Sequence, residues 1–305
     1  MLLCLRRLLP LFLAASLAAC TLIGSKLVYE KPAMFGVLAV TDEFDGMRTM
    51  RFGSNSATQT SIKVGDPDHL EFDYLKLALA GLVLAEAPRR VLIVGLGGGA
   101  LPVFLRRNFP QLQIDVVEID PEVVIAAKLY FAFHEDALMK AHLGDGRAFI
   151  ERAVAGSYDV VMLDAFGSGE VPEHLTTLEF LVAVKKATAP GGVVVSNVWK
   201  RLYNRQYDAM LRTYQEVFAD VDVIATSRDV NMMIVAFPLA PKLTREQFVA
   251  GARELSLRQN FRFNLGLLVD RGLDTRPVER TDVAVLRDAA SSNFSAGGVA
   301  NPETR

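Results

Sequence analysis

The amino-acid sequence predicts a doubly wound, mostly parallel α/β sheet with a small β region ahead of it and an antiparallel hairpin at its end. From Arg89 onward, apolar runs at 91–94, 114–119, 140–143, 159–163, 193–197 and 221–225 alternate with helical patterns. Such alternation lays strands parallel, with crossover helices between them. A glycine cluster, Gly95-Leu-Gly-Gly-Gly99-Ala, follows the first run directly, as expected where a strand turns sharply into a helix. The runs "VDVIAT" and "NMMIVAFP" lie only a few residues apart around Ser227-Arg-Asp229, and so short a connection forces antiparallel pairing.

The elements follow in order. Residues 1–19 of "MLLCLRRLLPLFLAASLAAC" read as an export signal: Arg6 and Arg7, an apolar run too short to span a bilayer, then small residues ending at Cys20. Leu17-Ala-Ala-Cys20 resembles the lipobox of bacterial lipoproteins, which implies lipidation of Cys20 and membrane attachment on the periplasmic side of the envelope. If the N-terminal reading fails, the expected location is cytoplasmic. Cys4 leaves with the signal, so the mature chain is expected to hold no disulfide. Residues 27–66 carry short extended segments with turn chemistry at Asp45-Gly46 and Gly65-Asp-Pro67, a small antiparallel β region. Residues 68–87 show helical spacing, with Leu75, Leu79, Leu82 and Val83 on one face. The ligand-binding domain spans 67–240 and a helical extension 241–288, which includes the amphipathic "TREQFVAGARELSLRQ". The Ser/Ala/Gly/Asn-rich tail from 289 to 305 is expected to be disordered. The 305 residues carry a net charge of −2 and no basic run, which speaks against a nucleic-acid surface.

Gly95, Gly97 and Ala100 satisfy G-x-G-x-x-A formally, so the loop alone fits a dinucleotide as well as an S-adenosyl ligand. Glu118 ends the second strand of the alternating region, where a carboxylate accepts from both ribose hydroxyls of either ligand. Asp145-Gly146 ends the third strand and Asp164 the fourth, both at the carboxyl edge where open α/β sheets bind ligands. Asp145 can accept from an exocyclic amine such as adenine N6. An edge bearing Glu118, Asp145 and Asp164 suits a cationic adenosine compound and repels a pyrophosphate, which turns the reading towards S-adenosyl chemistry. Pro190-Gly-Gly192 reads as a tight turn before the fifth strand.

These motifs, "VLIVGLGGGALPVFLRRNFP", "IDVVEIDPEVVIAAKLYF", "GDGRAF", "YDVVMLDAF" and the Pro-Gly-Gly turn, preceded by a β region containing Gln59, resemble the spermidine synthase (polyamine aminopropyltransferase) family over about residues 27–240. The resemblance implies the sheet of S-adenosylmethionine-dependent methyltransferases, closed by an antiparallel hairpin. It implies S-adenosylmethionine or its decarboxylated form as co-substrate, a small-molecule amine as acceptor, and dimers. It places Gly95, Gly97 and Gly99 around the ligand, Glu118 on its ribose, Asp145 and Gly146 near adenine, Asp164 beside the reacting centre, and Tyr74 and Gln59 at the pocket mouth.

The departures fall where the polyamine chemistry would be. Aminopropyltransferases carry Gly-Gly-Gly-Asp-Gly-Gly in the loop, and here Gly98 replaces the acid. Tyr74-Leu75-Lys76 keeps only the tyrosine of their Tyr-His/Gln-Glu, and Gly167 stands where their Asp-x-x-Asp has its second acid. Glu170 or Glu173 could return a carboxylate. Three other readings stay beside the aminopropyltransferase: a methyltransferase with the same ligand pocket, a nicotinamide oxidoreductase, and a non-catalytic exported protein that keeps the fold. His69, His134, His142 and His174 lack metal-ligand spacing, so no metal is expected, although His174 follows Asp164 closely enough to face the ligand. Trp199 and Tyr203 follow the fifth strand as candidate pocket residues. Ser54 and Ser56 have no triad pattern near them.

Overall fold

The computed structural model describes residues 25–53, 58–166, 171–227, 229–240, 243–275, 277–278 and 281–289. The export-signal segment with Cys20, the serines Ser54 and Ser56, Gly167, Glu170 and the tail beyond Ala289 lie outside them. Among the described residues no helix is long and apolar enough to cross a membrane.

Two sheets form the protein. The first is antiparallel: β1 (Ser25–Ala33), β2 (Gly36–Glu43), β3 (Met47–Phe52) and β4 (Thr58–Lys63) in that order. The second contains β5 (Arg90–Val94), β6 (Gln113–Glu118), β7 (Met139–Leu143), β8 (Tyr158–Leu163), β9 (Thr188–Trp199), β10 (Asp220–Ala225), β11 (Asn231–Phe237) and β12 (Leu273–Thr275). Its order is β12-β10-β11-β9-β8-β5-β6-β7, with β9 through β7 parallel and β10, β11 and β12 added antiparallel. The chain winds outward from β5 to β7, returns to β8 on the other side of β5, and continues to β9. The switch between β5 and β8 opens a crevice at the strand ends.

The central apolar runs predict this sheet because they are buried on both faces, whereas the edge strand β7 leaves Lys140 and Leu143 exposed. Val91 and Ile93 of β5 enter one core, while Leu92 and Val94 enter the other. On the first face lie α1 (Asp73–Ala78), α2 (Gly81–Leu84), α3 (Ala100–Asn108), α4 (Pro121–Tyr130), α8 (Arg245–Arg258), α9 (Leu265–Gly272) and the small sheet. On the second lie α5 (Gly146–Arg152), α6 (Leu178–Ala187) and α7 (Tyr207–Val217).

The structure alters three local expectations. The single helix predicted over 68–87 is two short helices, α1 and α2. Their inward residues are those expected, with Leu75, Leu79 and Leu82 buried, but Gly81 sits flush against β8 and β9, where a Cβ would lie 2.8 Å from Val160 Cγ1. Pro190-Gly-Gly192 is not a turn ahead of the fifth strand. It is a bulged stretch inside β9, across which pairing shifts from Tyr158↔Thr188 to Val160↔Val193. Gly192 permits it, since a Cβ there would approach Asp159 O to 2.6 Å. The C-terminal region, expected as one amphipathic helix, holds α8, started by a Thr244–Gln247 capping box, and also α9 and β12, which covers the edge of β10.

A cluster around Asp120 and α4 fastens the small sheet to the large one. Asp120 caps α4 by accepting from Glu122 N at 2.9 Å through Oδ1, while its Oδ2 accepts from Met34 N at 2.7 Å. Tyr29 donates to Glu122, and Arg48 reaches Tyr130 O at 2.9 Å along the same helix. Asp120 is 1 % exposed, and its loss leaves two part-buried amides without their acceptor. Asp120→Ala is expected to lower stability by about 1–3 kcal/mol, read as a fall in the urea midpoint at unchanged m-value.

Candidate functional site

A cavity of about 500 Å³ opens at the carboxyl ends of β5, β6, β8 and β9, on the face that the small sheet and α1 cover. The strand period places its polar groups there. Glu118 continues the Ile114/Val116 face of β6, and Asp164 the Val160/Met162 face of β8. Asn197 and Trp199 likewise share the Val193/Val195 face of β9.

The structure brings the predicted residues Gln59, Tyr74, Gly95, Gly97, Glu118, Asp145, Gly146 and Asp164 to this one cavity. Gly99 stands apart: it is the N-cap of α3 and packs on Phe133. Trp199 and His174 line the cavity, whereas Tyr203 is 51 % exposed. Glu173 is exposed. His69 pairs with Glu71 and His142 with Asp115. Among the described residues no group of three His, Cys, Asp or Glu side chains could hold a metal ion.

Glu118 anchors one end of the cavity. Its Oε2 accepts from Leu96 N and its Oε1 from Asp120 N, both at 2.9 Å. Burial pushes its pKa up, against the Asp120, Leu96 and Ile119 amides that stabilise the ionised form. Each oxygen keeps a lone pair, enough to accept a vicinal diol. Gly95 adopts φ +101°, and a Cβ there would run into the Asp164 carbonyl, so only glycine turns the chain between β5 and β8 at this point. Asp145 is doubly engaged: Oδ1 caps α5 through Ala148 N and Oδ2 meets His174 Nε2, each at 2.8 Å. Burial alone would raise its pKa, but the Ala148 amide and His174 outweigh it and hold it below the usual carboxylate range.

Asp164 dominates the other end. Burial lifts its pKa to about 7, opposed only by the amide of Asn197, which donates to Oδ1 at 2.8 Å. Asn197 Oδ1 in turn accepts from Asn231 Nδ2 at 2.8 Å. This relay fixes the plane of the carboxylate and carries no charge of its own. Tyr74 lines the same cavity, its pKa raised well above the usual phenol by burial and by the carboxylates of Asp164 and Asp229, so it stays a neutral donor. Phe166 stacks with Trp199 and Phe72 with Tyr74 along the walls. Sequence reasoning missed Asn197, Asn231 and Asp229. A polar residue inside the otherwise apolar "VVVSNVW" was the available signal for the first.

Gly98 explains why the loop has no acid. Its N–H donates to Thr60 Oγ1 at 2.7 Å, and a Cβ would lie 2.6 Å from Thr60 Cγ2 and 2.8 Å from Phe131. The small sheet closes against the loop there and excludes any side chain.

Fold and site together define the class of doubly wound transferases with the methyltransferase-type sheet. The spermine/spermidine synthase domain family matches residues 75–237, and the chain belongs to that family. A polyamine aminopropyltransferase of Vibrio vulnificus is 34 % identical over 212 residues, covering 66 % of this chain and 70 % of that one. Human methyltransferase-like protein 13, solved in complex with SAH, aligns with TM-score 0.56 at 30 % identity, over 61 % of this chain and 92 % of that one. A probable spermidine synthase from Corynebacterium glutamicum shares the fold at TM-score 0.69 and 20 % identity, over 87 % of this chain and 97 % of that one.

Two outcomes follow from this geometry. The fold takes up a proton at Asp164 more readily than the unfolded chain does, so stability falls as pH rises from about 4 to about 7 and stays low above that. Asp164→Asn keeps the acceptor for Asn197 and removes the charge. It is expected to be more stable than wild type by about 2 kcal/mol at pH 8, a gap that closes towards pH 4 in denaturation series. Gly98→Asp is expected to lower the melting temperature by about 4 °C or more through the Thr60 and Phe131 clashes.

Proposed function

We propose that the protein transfers an aminopropyl group from decarboxylated S-adenosylmethionine to a small-molecule amine. In this reading the glycine loop and Glu118 take the adenosine ribose, Asp145 borders the adenine, and Asp164 faces the acceptor. The amine nitrogen attacks the methylene carbon bonded to the sulfonium. The carbon–sulfur bond breaks with its electron pair passing to sulfur, which leaves methylthioadenosine, and the proton shed by the amine passes to Asp164. The observation that carries the reading is Asp164: a carboxylate held by Asn197 at the cavity wall with a pKa near 7, suited to take a proton at neutral pH.

Methyl transfer from S-adenosylmethionine is the second reading, and Gly98 favours it. The loop has neither the acid of the aminopropyltransferase pattern nor room for one, so nothing there would select a donor ending in an amine over one that also bears a carboxylate. Lipidation at Cys20 and attachment to the envelope membrane go with either reading as a proposal, checked by the mass of the N-terminal peptide of the mature protein.

Incubating the full chain with an amine panel and each donor in turn decides between the two readings. Methylthioadenosine release from the decarboxylated donor is the expected result, and S-adenosylhomocysteine from S-adenosylmethionine would establish the second. Asp164→Asn is expected to cut turnover by about 10²–10⁴-fold. The wild-type kcat/KM is expected to rise with pH to a plateau above about 7, as Asp164 gives up its proton.

A further inference from the structure

We infer that the C-terminal segment 281–289 is a strap that positions one wall of the cavity: Asp288, gripping Arg147, holds the turn that carries His174 against Asp145 and so tightens the binding of a nucleoside. The inference rests on the transferase reading for the identity of that ligand.

Two pieces of chain build this wall. One is the start of α5, where Asp145 and Gly146 line the cavity. It lies flush on the large sheet, since a Cβ on Gly146 would come within 2.4 Å of Val94 Cγ1. The other is a single turn of 3₁₀ helix, Glu173–Leu175, from which His174 and Leu175 line the same cavity. Backbone bonds from Leu175 N to Pro172 O and from Thr176 N to Glu173 O, at 2.9 and 3.0 Å, fix the shape of that turn. They are local, so the place of the turn beside α5 depends on contacts of longer range. Leu175 is buried beneath it. His174 Nε2 meets Asp145 Oδ2 at 2.8 Å, and Arg147 Nη1 donates to His174 O at 3.2 Å and to Thr177 Oγ1 at 3.4 Å.

Arg147 is thus the hub, one residue beyond Gly146 on α5. Asp288 takes its guanidinium with both oxygens, Nη1 to Oδ1 at 2.7 Å and Nη2 to Oδ2 at 2.6 Å, while Nε donates to Glu151 Oε1 at 2.7 Å. A planar fork held along both edges keeps the orientation that serves His174 O. Arg147 holds the Asp288 carboxyl down at about 2, so the pair stays charged throughout the neutral range.

The strap is anchored independently of this pair. Leu286 O accepts from Leu178 N at 2.8 Å and Leu286 N donates to Thr213 Oγ1 at 3.0 Å, which ties the segment to α6 and α7. Asp288 N donates to Glu179 Oε2 at 2.9 Å. These bonds use the backbone of the strap and survive a change of side chain at 288. A partly exposed ion pair adds little to global stability. The Asp288 carboxylate therefore acts locally, on Arg147 and through it on the turn; it is a positioning residue.

The test compares wild type, Asp288→Ala, Arg147→Ala and the double variant, each as the full chain. Calorimetry reads the binding of methylthioadenosine and of S-adenosylhomocysteine, and hydrogen exchange reads the amides of residues 172–177. Asp288→Ala is expected to weaken nucleoside binding about three- to fivefold and to speed exchange in 172–177, with a melting temperature within about 4 °C of wild type. Because Asp288 acts through Arg147, adding Asp288→Ala to Arg147→Ala is expected to change the dissociation constant less than about twofold. Unchanged binding by Asp288→Ala, unchanged exchange in 172–177, or losses that simply add in the double variant would overturn the inference and leave Asp288 a surface partner of α5. If wild type binds neither nucleoside, the transferase reading fails and exchange alone decides the positioning: faster exchange in Asp288→Ala upholds it, and equal exchange overturns it.

Discussion

The candidate site depends on one buried carboxylate. Glu118 holds the loop after β5 by Leu96 N and the entry to α4 by Asp120 N. Its two oxygens hold the loops after β5 and β6 at a fixed separation. Burying that charge is costly, and the amides that meet it recover part of the cost by favouring the ionised form. From Glu118 the chain of dependence runs to Asp120, which starts α4 and holds Met34 of the small sheet. The buried carboxylate of the cavity and the attachment of its outer wall are thus neighbours in one polar cluster, two residues apart.

The small sheet belongs to the site for that reason. Through Thr60 it takes the N–H of Gly98 and fills the space a side chain would need. Phe35, Met50 and Phe52 give the cavity an apolar wall on the same side. A loop acid and this contact exclude each other. The departure of Gly98 from the family pattern is therefore part of how the two sheets fit.

Most of the crevice is legible in the sequence because parallel strands buried on both faces advertise themselves as apolar runs, and open sheets place chemistry at the ends of those runs. Glu118 ends an apolar strand and Asp164 follows one, Asp145 follows the mixed edge strand β7, and the cavity gathers all three. Asp145 shows the limit of that reasoning. Its position is readable, but its engagement with Ala148 N and His174 depends on a loop returning across the cavity. Asn231 and Asp229 were harder to read. Asp229 lies on the connection into β11 and Asn231 is the first residue of that strand, whose place beside β9 follows from strand order and is encoded by nothing local. Pro190-Gly-Gly192 misleads in the opposite sense, since its turn-forming residues serve a bulge that the neighbouring strand dictates.

The insertion of β11 between β9 and β10 gives that order its chemical meaning. In the observed register Asn231 faces Trp199 and Met233 faces Asn197. Residues directly opposite in an antiparallel pair share a face, so Asn231, Trp199 and Asn197 all point to the side that carries Asp164. A slip of one residue would send Asn231 into the opposite core and leave Asn197 without its acceptor-side partner. The antiparallel closure of the sheet thus orients a carboxylate that burial has already brought near neutrality. The same arrangement sets a stability cost at neutral pH against the ability to take a proton there, and the asparagine pair limits that cost without neutralising the acid. An ion pair in place of Asn197 would have lowered the pKa of Asp164 and removed its capacity to act as a base near pH 7.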